Sequence, residues 1–457
     1  MLLVNLLQVL EPAELERLHQ LPLKGKEALV MDYCLANRDK KVFSLPRAVK
    51  SLQISNTHLY KLNSVLFDKV LAHLFGTNPL QHLTEMATRL RLVPVVRHVM
   101  KITERNIKKS GSKQDLFDFY ELCFRIEAGH FASDFDEKLL RYYEKECLKY
   151  YSGDKLKLQL GMDIMAQKGL INYHTALGSL GKKNIFKAHS DALIKITSRA
   201  AEKHYYESEF HALLVYSRLY FDTNRPGEVI PHLRQAEDIA GKHGKEIPSL
   251  LQMEMKLLFA KALYLTSQFE EAFNQYRALG IPKQPMDKAI IGSDVAKFMQ
   301  LSLILGRYEE AKETSIYFQR FYTANNSAGL MARLHGIKYL VHTGRYHEAY
   351  MQLEDIAEMV KTMKIMQYIV EWRLLTALTQ QLMGDTHAAL LTIGRAIKFL
   401  YARNHPQLRD FIEGFQLLKF LCTYRNKQLD ARLKAIDTLY HESSYAQYGL
   451  LFDRIKR

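Results

Sequence analysis

The same short punctuation recurs six times along this chain at nearly even spacing. The stretches are NRPGEV from Asn224, SQFEEA from Ser267, GRYEEA from Gly306, GRYHEA from Gly344, GDTHAA from Gly384 and NKQLDA from Asn426. In each, a residue suited to a tight turn is followed five positions later by a small one: Val229, Ala272, Ala311, Ala349, Ala389 and Ala431. Those small residues lie 43, 39, 38, 40 and 42 positions apart. Self-similarity at such a period marks a solenoid, in which one supersecondary unit stacks on the next. The feature constrains the architecture tightly and leaves the partner open.

Each recurring position has a physical cause. A chain that leaves one helix and enters an antiparallel one within a few residues needs a left-handed residue just past the helix end, and Gly and Asn adopt that conformation most readily. Ser267 is the exception among the six. Two residues further on, Phe269, Tyr308 and Tyr346 are placed to plug the gap between paired helices. The small residue one turn into the second helix lets the two axes approach closely. Upstream of the turns, Leu257, Leu258, Ala260 and Leu263, then Leu301, Ile304 and Leu305, fall at helical spacing.

The units resemble tetratricopeptide repeats, whose second helix opens in the GRYEEA style. The similarity covers roughly residues 205–440 and recurs in register. A unit of that family is about 34 residues long, so these units carry extra residues, expected as longer helices. The family's small residue on the first helix, twelve positions before the anchoring alanine, is present as Ser217, Ala260 and Ala377 and replaced by Met299, Ile337 and Lys419. The resemblance implies an all-α, right-handed α-α solenoid with the first helix of every hairpin on the inner surface. Such a surface holds an extended or helical peptide through regularly projected side chains. Carried onto this chain, the inward positions are Lys261 and Tyr264, then Gln300, then Lys338 and His342, then Gln381. Lysine, amide and aromatic together suit an acidic peptide or a C-terminal carboxylate. On this reading Lys261 and Lys338 are surface charges whose reversal weakens partner capture at an unaltered melting temperature.

Residues 111–457 are read as one solenoid whose first units are degenerate. Gly181 lies 43 positions before Asn224, and Gly129 sits behind the apolar run Leu116, Phe119, Leu122 and Cys123. Residues 1–110 lack the signature and are read as a separate helical N-terminal domain or cap. Helices are predicted at 11–20, 27–36, 46–53, 56–75 and 78–108, the last broken at Pro94. The apolar MLLVNLLQVL lacks a basic leader and a small-residue cleavage site, so it is not read as a signal peptide. From Ser44, a short helix, a polar break at Ser55–Asn56 and a helix carrying Lys61 and Lys69 faintly resemble a helix-turn-helix. The second helix, with Leu59, Leu62, Leu66, Val70 and Leu74, is longer and more apolar than a recognition helix needs.

Charge gives the one global hint about partners. Residues 1–110 hold 17 Lys and Arg against 9 Asp and Glu, a net +8 of the +15 carried by all 457 residues. That bias favours acidic partners or nucleic acid without specifying either. The basic run Lys101–Lys113 is read as an exposed loop. No apolar run is long enough to span a bilayer, and the four dispersed cysteines form no CxxC pair and read as reduced thiols. A cytoplasmic chain follows from these readings. Phosphate-loop, GxGxxG, HExxH and GxSxG motifs are absent, and the 18 histidines have no partners at metal-ligand spacing. The acidic pairs Glu270–Glu271 and Glu309–Glu310 fall in first helical turns, where the helix dipole favours them. Trp372 reads as a packing residue. No cofactor, metal or catalytic set is therefore expected, and the sequence reads as a non-enzymatic scaffold that binds a peptide or protein partner. The alternative is a transcription regulator with an N-terminal nucleic-acid-binding region and sensor repeats; an enzyme accessory subunit is a weaker third reading.

Overall fold

The computed structural model describes residues 2–38, 44–75, 93–130, 134–281, 292–321, 326–403, 409–423 and 448–456. Among them the regular elements are helices, with no strand. The chain divides into two compact units, Met1–Thr223 and Asn224–Arg457.

The first unit begins with α1 (Leu2–Val9), α2 (Pro12–Leu18), α3 (Lys26–Ala36), α4 (Leu45–Leu52) and α5 (Asn56–Phe75). Proline opens α2 without cost because the first helical N–H has no partner to lose, and Glu14 reaches back to accept from the Glu11 N–H at 2.9 Å. The long helix α5 is the hub: α1, α2, α3 and α4 all pack on it, through a stripe of buried Leu59, Leu66, Phe67, Val70 and Leu74. The apolar opening of the chain is α1, with Leu3, Val4, Leu6 and Leu7 buried in the same core. The stretch that resembles a helix-turn-helix is therefore α4 and α5, with left-handed Gln53 at the break (φ 51°). Its second helix is held by the bundle, and Lys69 is paired with Glu27 at 2.7 Å.

Next come α6 (Val93–Ser110), α7 (Lys113–His130), α8 (Glu137–Tyr150), α9 (Lys155–Ala176), α10 (Lys183–Glu202) and α11 (Tyr206–Asp222). Pro94 lies in the first turn of α6, where its missing N–H is tolerated; the earlier part of the helix expected from residue 78 lies outside the described residues. The basic run from Lys101 is not a loop but the second half of α6. Lys108 pairs with Glu104 one turn away at 2.8 Å, and the helix runs to Ser110 before the turn. Ser112 and Asp115 then cap α7 reciprocally, at 2.7 and 3.1 Å. One apolar core joins Leu3 to Ala166, so the change of sequence character at residue 110 falls inside a packed core. Beyond it, α7 packs on α8 and α9, α9 on α10 and α11, and α10 on α11. Gly169 permits the approach of α9 to α7: a Cβ there would lie 2.5 Å from the Ala128 carbonyl oxygen. The left-handed glycine near the end of α9 is Gly178 (φ 62°) and not Gly181, while Gly129 lies within the last turn of α7.

The second unit contains α12 (Pro226–His243), α13 (Ser249–Leu265), α14 (Phe269–Ala278), α15 (Gly292–Ile304), α16 (Tyr308–Phe321) and α17 (Ser327–His342). It continues with α18 (Tyr346–Asp355), α19 (Ala357–Met363), α20 (Met366–Leu382), α21 (Thr386–Tyr401), α22 (Arg409–Thr423) and α23 (Gly449–Lys456). Chain neighbours pack from α12 through α18, and α20 packs on both α21 and α18. Contacts between α15 and α17, α17 and α20, and α20 and α22 bring first helices together. This is a helical-repeat arrangement of stacked hairpins.

The turns lie where the sequence places them. Asn224, Ser267, Gly306, Gly344 and Gly384 take φ of 60°, 61°, 67°, 81° and 89°; Asn426 and Ala431 lie outside the described residues. At four of these turns the N–H two residues past the last helical turn bonds back to a carbonyl five residues earlier: Gln268 to Leu263, Arg307 to Ser302, Arg345 to Leu340 and Asp385 to Gln380. This is the Schellman closure of a helix end. Threonines one residue before the turn, Thr223, Thr266 and Thr343, bond their hydroxyls to carbonyls of the preceding turn at 2.9 Å, a recurrence the sequence reading missed. Val229, Ala272, Ala311, Ala349 and Ala389 are fully buried, and so are Ser217, Ala260, Met299, Ile337 and Ala377 on the first helices. Lys419, at the same position in α22, is exposed.

Ser267 is the one non-Gly, non-Asn residue at these five left-handed positions. A side chain there costs roughly 1–2 kcal/mol, and glycine gives back about 0.4–1 kcal/mol through the entropy of the unfolded chain. Ser267→Gly should therefore stabilise the fold by about 0.5–1 kcal/mol, visible as a raised urea midpoint; a lowered midpoint would refute the strain.

The four cysteines are buried and unpaired with one another. Burial pushes the thiols of Cys34 and Cys147 up to about 12 and that of Cys422 up to about 11, and holds Cys123 well above its ordinary value. Among the described residues no helix is long and apolar enough to cross a membrane.

Candidate functional site

First helices of the second unit carry the residues of a cavity of 380 Å³. From α13 comes Tyr264; from α15 come Lys297 and Gln300; from α17, His335; from α20, Tyr368 and Glu371. Phe411 of α22 and Tyr448, beside α23, close it. These positions meet because residues three and four apart on a helix share a face, and each hairpin presents the same face of its first helix.

Directional bonds tie neighbouring first helices. Tyr264 donates its hydroxyl to Gln300 Oε1 at 2.9 Å. Lys261 Nζ lies 3.0 Å from Oδ1 of Asp294, a carboxylate with no solvent exposure. Lys338, 1 % exposed, is paired with Glu371, whose Oε1 also accepts from the Tyr448 hydroxyl at 3.2 Å. Burial, with the nearby Glu371 charge, pushes the Tyr264 phenol up to about 12, so it stays a neutral donor.

Of the six inward positions expected from the sequence, Tyr264 and Gln300 line the cavity, joined to each other. Lys261 stands beside them with its charge met by Asp294. Lys338 is buried beneath, held by Glu371, and is not the surface charge the sequence suggested. The reason is the carboxylate, which arrives from the next first helix and from a position with no signature. His342 is fully buried, its ring 6.4 Å from that of Tyr308; Gln381 is half-buried with its Oε1 enclosed. Neither lines the cavity.

Sequence reasoning missed Lys297, whose signal was available: it sits one turn before Gln300 on the same face. Lys297 makes no ion pair among the described residues, while burial, reinforced by the Lys261 charge and opposed by Asp294, lowers its pKa. Phe411 lies within the repeats but at a position the repeat signature does not mark, and Tyr448 lies beyond the clear repeats. Buried His335 stacks on Phe318 at 5.7 Å, and burial with the Lys338 charge holds it well below its usual value, neutral at physiological pH.

The cavity thus offers one half-buried cation, amide and phenolic groups, apolar walls, and the Glu371 carboxylate with its charge met by Lys338. Among the described residues no three His, Cys, Asp or Glu side chains are grouped to hold a metal ion. No protein-family model matches the chain, and no curated protein matches it.

Proposed function

We propose that the second unit is a tetratricopeptide-like scaffold that captures an acidic peptide segment or C-terminal carboxylate on the face of its first helices, without catalysing a reaction on it. The observation that carries this reading is Lys297: a half-buried cation, lacking a carboxylate partner among the described residues, on the wall of a cavity between stacked repeats. A cation in that position gains most from an anionic group that fills the site and excludes water. The Tyr264–Gln300 pair and the Tyr368 and Phe411 rings supply the adjacent polar and apolar contacts. Lys261 and Lys338 hold the helices that frame this site and do not themselves meet the ligand.

Lys297→Met keeps an unbranched side chain of similar length and removes the charge. In pull-downs from lysate of the source cells, the variant should recover an order of magnitude less of the partner than wild type, about 1.4 kcal/mol of binding, with an unchanged melting temperature. Equal recovery at equal stability would remove this site from consideration.

A further inference from the structure

We propose that a second cavity, between α18–α19 and α20–α21, binds a nucleotide. It encloses 640 Å³, within the range of small-molecule sites, and lies on the other side of α20 from the peptide site. Met366, Ile369, Arg373, Thr376 and Gln380 face it at helical spacing, whereas Gln367, Glu371 and Leu374 face the first cavity.

Its electrostatics are one-sided. Lys361, Lys364, Arg373, Arg395 and Arg403 line it, against a single lining carboxylate, Glu354. Lys361 is engaged by exposed Glu358 at 2.7 Å, but among the described residues no carboxylate pairs with Arg373, Arg395, Arg403 or Lys364. Three guanidinium groups converging on a partly enclosed space repel one another, and an anion placed among them relieves that repulsion. Guanidinium is also the side-chain group best matched to phosphate, through paired, parallel N–H donors.

The walls specify the rest of the ligand. Arg373 is fixed by donating from Nη1 to the Arg395 carbonyl at 3.0 Å, and its guanidinium lies 4.4 Å from the centre of the Phe399 ring. Arg403 reaches the same ring at 5.2 Å. Trp372 adds a second aromatic wall, its Nε1 donating to the Leu353 carbonyl at 2.9 Å. Flat apolar surfaces beside a cluster of guanidinium groups match a molecule that joins a planar ring to a phosphate, the defining pair of features of a nucleotide.

Trp372 is the only tryptophan in the chain, so intrinsic fluorescence reads this cavity directly. The full chain would be titrated with AMP, GMP, CMP and UMP, with adenosine and inorganic phosphate as comparison arms and calorimetry as the second readout. At least one mononucleotide should give a saturable change, with both adenosine and phosphate at least tenfold weaker. Lys364 holds a left-handed backbone (φ 54°), so Lys364→Gly removes a cation while relieving strain. Combined with Arg395→Gln, on an exposed side chain, it should weaken binding at least tenfold with no fall in melting temperature. No saturable response to any of the four mononucleotides overturns the proposal. So does adenosine binding as tightly as its nucleotide, or wild-type affinity in the double variant.

Discussion

Lys338→Met should destabilise the second unit by about 3–5 kcal/mol. The lysine is 1 % exposed and its ammonium is held by Glu371; removing it leaves a partly buried carboxylate without its counter-charge. Glu371 keeps its bond from Tyr448 and is itself 18 % exposed, which places the effect at the lower end of that range. Lys338→Glu, with two carboxylates in one site, should cost more. Glu371→Leu added to Lys338→Met should recover most of the loss, because an apolar pair of similar volume is often as stable as the buried ion pair it replaces. Urea unfolding followed by circular dichroism measures all three. A wild-type midpoint for both single variants would mean that the ammonium reaches water after all, and would restore Lys338 as a surface charge.

The second large effect concerns the anchoring alanines. Ala311→Leu and Ala349→Leu should each lower stability by roughly 1–3 kcal/mol. Both side chains are fully buried at the point where α16 and α18 meet the helices before them, and a close-packed interior has no void for three additional carbons. Met351, two positions beyond Ala349 and 64 % exposed, supplies the control: Met351→Leu should leave the thermal midpoint unchanged. If Ala349→Leu behaves like Met351→Leu, the close approach of the paired helices is refuted.

The repeat was legible because it rests on local chemistry. A left-handed residue, a Schellman closure and a small residue one turn later all act within a few positions, so their traces survive in one sequence at Ser267 as well as at Gly306, Gly344 and Gly384. The same holds for α5, whose apolar stripe gave its bounds, and for α2, opened by Pro12. The threonines at 223, 266 and 343 are equally local, each one residue before a left-handed turn. What was not legible depends on residues far apart in sequence. Lys338 sits at a position the sequence reads as an inward surface charge, and nothing near it announces Glu371. The run from Lys101 has the charge density of a loop, but Glu104 stands four positions before Lys108 and pairs with it along the helix. Likewise, residue 110 marks a change of pattern but no break in packing, because α6 and α7 share one core. Tyr264 and Gln300 of the first cavity are legible as inward positions, but the walls of both cavities come from several helices, and those of the second also from the turn at Lys364.

The buried thiols have a consequence for how this molecule opens. Only the thiolate attacks an alkylating reagent, and each of the four thiols is held in its protonated form well above neutral pH. Labelling at neutral pH thus waits for a local or global excursion that wets the sulfur. Cys34, Cys123 and Cys147 belong to the first unit and Cys422 to the second, so the chain carries its own clocks, three in one half and one in the other. Their relative rates record whether the halves come apart together or one at a time.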